Sequence, residues 1–203
     1  MNVDSLPYKK VRFDTNNFYS ILDNLYVSDQ ISSFNEELLE SNKITYLINF
    51  TKSTPFISNH TKNIHYHFLN HSESSKSIKY NPHDKKDETI QKINHVVHEL
   101  FTLLSQKENV LLYCENGTSK SFIILACFLM KYYNSEQIIN IDNVLRFIKW
   151  KTKQSFSEHS TPYFSLLKQY RNFLQVKKPI DIVKKQKKQN KIASIVRNHL
   201  CTK

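Results

Sequence analysis

The chain has 203 residues, 39% hydrophobic and 12% aromatic, with a net charge of +11. That length supports one ordinary core and not two comfortable ones, and the composition excludes a disordered chain. The longest apolar run, Phe122–Met130, falls far short of the roughly 20 residues needed to cross a bilayer, so no membrane span is expected.

Residues 1–20 are polar with scattered aromatics and read as a lead-in; Met1–Lys10 lacks an apolar core, so no secretory signal is expected. Asn24–Val27 reads as a short strand, followed by a helix-like pattern over Ile31–Leu39. Ile44–Phe50 is rich in β-branched and aromatic residues and predicts a central strand. Ile64–Leu69 alternates as a weaker strand, and the aperiodic, polar stretch 70–86 predicts a loop. Ile90, Ile93, Val97, Leu100, Phe101 and Leu104 recur at helical spacing. Val110–Cys114 then reads as a buried strand, and Phe122–Met130 as an apolar helix. Ser135 is a candidate cap for a helix bearing Ile138, Ile141, Val144, Leu145 and Ile148; Thr161 as N-cap and Pro162 as first helical residue open another through Leu174. Strands alternate with helices early and helices cluster late, which predicts an α/β fold with a mixed or parallel central sheet flanked by helices.

Residues 177–203 hold nine Lys/Arg against the single acid Asp181, so +8 of the net charge belongs to this tail and +3 to the rest. The tail carries the cluster Lys184–Lys188 and apolar residues at Ile192, Ile195, Val196 and Leu200. It reads as a solvated tail, as a nuclear-import or nucleic-acid patch, or as a short surface helix. Three cysteines in dissimilar contexts (Cys114, Cys127, Cys201) fit reduced thiols and a cytoplasmic or nuclear location. Cys127, within the apolar helix, is expected in the core. His65, His67 and His71 have no cysteine or carboxylate at a ligand spacing, so neither a metal nor another cofactor is expected.

The most informative residue is Gly117, the only glycine in the chain, where about 7% is usual. It sits in Cys114–Ser121, the short connection between the predicted strand and the apolar helix. Such a loop, with glycine permitting unusual dihedrals, turns consecutive amides inward at a helix N-terminus and makes an anion cradle. The same amides would draw a cysteine at its base toward the thiolate. The candidate phosphate-binding residues are Cys114, Glu115, Asn116, Gly117, Thr118, Ser119, Lys120 and Ser121. Glu115 places a negative charge beside the site.

A strand followed by Cys-x-x-Gly-x-x-(basic)-Ser and an apolar helix resembles the signature of the dual-specificity phosphatases, within the cysteine-dependent protein tyrosine phosphatase superfamily. Asp23–Ser28 looks like the family's opening strand, Ile44–Phe50 like its next one, Ala126–Met130 like its post-loop helix, and Thr161–Tyr170 like its last helix. The resemblance covers roughly residues 20–174 and implies a phosphatase-like domain over 21–176, with a lead-in before it and the basic tail after it. It also implies that Cys114 holds the nucleophile position and that Ser121 hydrogen-bonds the nucleophile and assists breakdown of a cysteinyl-phosphate.

Three departures fall on functional positions. Tyr113 stands where the family has histidine, Lys120 where it has arginine, and the acid-loop aspartate falls near Asn70–His71, where there is no carboxylate. Lysine gives a point charge where arginine grips two phosphate oxygens. Loss of a general acid typically costs about 10²–10⁴-fold in rate; His71 is the candidate substitute, or else an ordinary loop histidine. The expectation is a pseudophosphatase that binds phosphorylated Tyr, Thr or Ser on a partner protein. The alternatives are a slow cysteine-dependent phosphatase and an RNA 5′-phosphatase-like protein that holds RNA through the basic tail.

Overall fold

Five strands lie side by side in the order β1-β2-β5-β3-β4 in the computed structural model, which describes residues 17–52, 60–66, 85–133, 140–154 and 161–176. The strands are β1 Phe18–Leu22, β2 Leu25–Asp29, β3 Tyr46–Asn49, β4 Lys62–His65 and β5 Val110–Cys114. The helices are α1 Glu36–Ser41, α2 Lys85–Ser105, α3 Lys120–Tyr132, α4 Ile141–Thr152 and α5 Thr161–Val176. β1 runs antiparallel to β2, and the other pairings are parallel, so the sheet is mixed, as expected.

β5 is the middle strand, and all five of its residues are buried. Alternation decides what each faces. Val110, Leu112 and Cys114 join the large core beneath the long helices, together with Leu25, Val27, Ile48 and Phe50. Leu111 and Tyr113 point to the opposite face, where Leu39 of α1, Ile44 and Leu47 complete a smaller core. Helix α3 packs against α2, α4 and α5 as well as β5. Its residues Lys120–Met130 are all buried, as a helix apolar on every side requires. Cys127 lies in that core, and burial pushes its thiol well above the ordinary value.

Several elements depart from the sequence expectation for identifiable reasons. β1 falls partly within the expected lead-in. Of its residues Phe18–Leu22 only Ile21 is fully buried, so its apolar signal is weak, and Asp23–Asn24 form the tight turn into β2. The single helix expected over Ile31–Leu39 is a 3-10 turn at Ser32–Phe34 followed by α1. Asn35 divides the two: its backbone is extended and its side chain accepts the Leu38 amide at 3.1 Å, capping a new helix. α2 starts at Lys85, inside the expected loop, because its first turn is charged and carries no apolar period. In α4, Asn140 accepts from the Asp142 amide and caps the helix at Ile141. Ser135 and Ile138, expected in that helix, lie outside the described residues, as do His67, His71, Cys201, most of the expected 70–86 loop and the basic tail.

Candidate phosphate-binding loop

The loop starts where β5 ends, with Cys114 opposite Asp29 of β2 in the sheet register. It ends as α3 begins at Lys120. The first amides of a helix have no carbonyl partners within it, so a helix N-terminus turns N–H donors and the positive end of the helix dipole toward the loop before it. That is the local basis for an anion site.

Gly117 fixes the loop's shape. Its φ is +69°, in the left-handed region, and an added Cβ would come within 2.7 Å of the Asp29 amide nitrogen and 2.9 Å of the Ser28 carbonyl carbon. Both the dihedral and the close approach to β2 require glycine. The Gln30 amide reaches the Glu115 carbonyl at 3.5 Å, tying the other side of the loop to the end of β2. Asp29 braces that end: its carboxylate accepts the Ser32 amide at 2.7 Å and the Asn17 side-chain amide at 2.8 Å.

Cys114 is buried at the base of the loop, with Ser121 Oγ 3.2 Å and Ser119 Oγ 3.7 Å from its sulfur. Ser121 is therefore the nearer of the two hydroxyls to the sulfur. Lys120 is buried as well, and its ammonium donates to the Phe50 carbonyl at 3.0 Å. It also sits 3.3 and 3.2 Å from the two carboxylate oxygens of Glu115. Glu115 in turn accepts the Lys52 amide at 3.2 Å. Burial opposes ionisation of Glu115, but its own backbone amide, the Lys120 ammonium and the Lys52 amide outweigh it and hold the carboxyl below its ordinary value.

These contacts draw the segment after β3 into the site. Phe50 and Lys52 are held by Lys120 and Glu115, the Thr51 amide donates to the Asn49 side chain at 2.7 Å, and the Thr51 carbonyl is 2.7 Å from His65 Nε2. Sequence reasoning placed Glu115 and Lys120 in the loop but missed this segment, which is remote in the chain and has no motif of its own.

Tyr113, in the position of the family's histidine, turns away from the cysteine into the smaller core. Burial pushes its hydroxyl up to about 12, with the Ser33 hydroxyl opposing the rise. The Ser33 hydroxyl donates to the Gln30 carbonyl at 2.7 Å, and among the described residues the phenol oxygen makes no hydrogen bond of normal geometry. Asn116, Thr118 and Ser119 occupy the rest of the loop, Asn116 exposed and the other two half-buried. His71 lies outside the described residues. Among those described, no group of three His, Cys, Asp or Glu side chains is placed to hold a metal ion, and no helix is long and apolar enough to cross a membrane.

No curated protein sequence matches the chain. Solved structures do. A leucine-rich-repeat and phosphatase-domain protein from Entamoeba histolytica superposes with a TM-score of 0.60 at 14% identity, covering 82% of this chain and 98% of that one. The human tyrosine phosphatase-like serine/threonine/tyrosine-interacting protein superposes with a TM-score of 0.60 at 13% identity, covering 79% and 99%. Human DUSP28 gives 0.57 at 14% identity, covering 78% and 95%. At these identities the likeness establishes the fold. The sequence itself matches the dual specificity phosphatase catalytic domain over residues 25–173, from the first residue of β2 into the last turns of α5. The chain belongs to the dual-specificity phosphatase family of the cysteine-dependent protein tyrosine phosphatases.

Proposed function

We propose that this chain is a catalytically impaired dual-specificity phosphatase-like protein, a pseudophosphatase, which captures phosphorylated Tyr, Thr or Ser on a partner protein in its 114–121 loop. The observation that carries this reading is the engagement of Lys120. The residue in the arginine's place offers one ammonium, and that ammonium is already held by the Phe50 carbonyl and the Glu115 carboxylate. A phosphoryl-transfer transition state spreads its charge over several oxygens and needs donors aimed at all of them. A single ammonium directed into the wall of the site is poorly suited to that task. Binding in the ground state asks less, because backbone amides at a helix N-terminus supply most of the donors. Gly117, Cys114 and Ser121 keep the form of the loop.

The human relative described above is named as a phosphatase-like interacting protein, which is said of that protein and accords with a binding role here. The test pairs two measurements on the full chain. Fluorescence anisotropy with phosphotyrosine, phosphothreonine and phosphoserine peptides is expected to detect binding that the unphosphorylated peptides lack. Hydrolysis of p-nitrophenyl phosphate is expected to stay near background. Turnover at ordinary family rates, abolished by Cys114→Ser, would instead establish an active phosphatase. The 3.2 Å Cys114–Ser121 contact is the feature that favours that second outcome.

A further inference from the structure

The phosphate-binding loop contains an anion of its own. Besides its own backbone amide, the Glu115 carboxylate receives the Lys120 ammonium and the Lys52 amide. An ammonium and a backbone amide converging on one carboxylate form the kind of donor set that phosphate oxygens occupy. The two partners differ in freedom. The Lys120 side chain is 10% exposed and is anchored on the Phe50 carbonyl, whereas that of Glu115 is 39% exposed. Glu115 can swing into water, and Lys120 cannot follow without leaving a buried carbonyl acceptor.

We propose that Glu115 is an internal counter-anion: it neutralises Lys120 while the loop is empty, and a phosphate entering the loop displaces it. This rests on the phosphate-capture reading above and adds a residue that sets its affinity. The reason is charge. A buried ammonium is costly without a partner, and Glu115 supplies that partner in the free protein. Once a phosphate dianion enters, a carboxylate on the same ammonium is a like charge at close range and is driven outward. Glu115 thus stabilises the empty state and weakens capture by the energy needed to release it from Lys120 and Lys52.

The test is calorimetric titration of the full chain with inorganic phosphate at fixed pH and ionic strength. Glu115→Gln keeps the side chain's size and removes its charge, so it is expected to bind phosphate about 3- to 10-fold more tightly than wild type, the range of a partly exposed ion pair. Glu115→Asp, which keeps the carboxylate, is expected to stay nearer wild type; a purely structural role for the side chain would not give that order. A second measurement needs no variant: in wild type, saturating phosphate is expected to shift the carboxyl ¹³C resonance of Glu115, reporting its release. Equal or weaker phosphate binding by a folded Glu115→Gln, or an unmoved carboxyl resonance in phosphate-saturated wild type, would overturn the role given to Glu115 alone. Failure of both wild type and Glu115→Gln to bind phosphate would overturn the capture reading itself, and this inference with it.

Discussion

Gly117 lies against the backbone of Asp29 so closely that a Cβ at position 117 would stand 2.7 Å from the Asp29 amide nitrogen. The clash is with backbone at the end of a buried strand, so no side chain can rotate to relieve it. Gly117→Ala must also hold a φ of +69°, which costs an L-residue about 1–2 kcal/mol before the clash is counted. The variant is expected to lose at least that much stability in a urea denaturation curve. If it stays folded, it is expected to bind phosphopeptide more weakly than wild type, because relief of the clash lifts the loop off β2.

Lys120→Arg restores the planar fork at the mouth of α3. A guanidinium can keep one edge on Glu115 and offer the other to phosphate, which an ammonium does less well. Hydrolysis of p-nitrophenyl phosphate is expected to rise by about tenfold or more, part of what a missing transition-state donor typically costs. The rise should vanish when Cys114→Ser is added. An unchanged rate would mean that the limitation lies elsewhere, in the leaving-group acid.

Glu115 makes a contribution to stability that depends on pH. Its folded-state value is depressed below 4.5, so the carboxylate stabilises the fold above its unfolded value, and that stability is lost as pH falls through the folded one. Wild type is therefore expected to be more stable than Glu115→Gln near neutral pH. The gap should narrow as pH drops below about 4.5 and close once the carboxyl is protonated in both states. Thermal melts of the two proteins between pH 7 and pH 3 measure it.

Tyr113 offers a gain from a deletion. Its hydroxyl is buried and, with the Ser33 hydroxyl committed to the Gln30 carbonyl, makes no hydrogen bond of normal geometry among the described residues; an unmet polar group costs about 1–3 kcal/mol. Tyr113→Phe is expected to leave the melting temperature unchanged or raise it by the equivalent of about 1 kcal/mol. It should leave phosphopeptide affinity alone, since the side chain faces away from Cys114.

Among the described residues, three lysines stand in the left-handed region where glycine is usual: Lys43, Lys107 and Lys153, with φ of 53°, 63° and 57°. They follow α1, α2 and α4 respectively. Replacing Lys153, the C-cap of α4, with glycine relieves the Cβ strain at some cost in unfolded-chain entropy, for an expected net gain of about 0.5–1 kcal/mol. Denaturant titration of Lys153→Gly checks it.

The lysines and the one glycine together indicate what the sequence could disclose. Lysine stands after α1, α2 and α4 where glycine would serve, so Gly117 stands out because its position needs both the dihedral and the missing Cβ. The Val110–Cys114 strand, the α3 helix and the loop between them were legible because their signals are local: a buried run, a turn residue, an apolar helix. β1 was not, since Phe18 and Tyr19 are only partly buried and its pairing with β2 is a tertiary fact. Nor was the setting of Lys120. Its partner Phe50 is 70 positions away, and the Lys52 amide on Glu115 is 63 away. Spacing along the chain says which residues share a loop, but the direction of a side chain within it depends on what the fold brings alongside.

Helix α3 has one further consequence. Every residue from Lys120 to Met130 is buried, so the helix that closes the loop is wedged on all sides and cannot slide or tilt to meet a ligand. A site built on such an element is assembled before any partner arrives, and capture then requires little ordering of the chain. On the proposed reading, what moves at this end of the site when a phosphate enters is the Glu115 carboxylate. On that reading, recognition at the α3 end of the site would be governed by desolvation of a preformed mould and not by ordering of the helix.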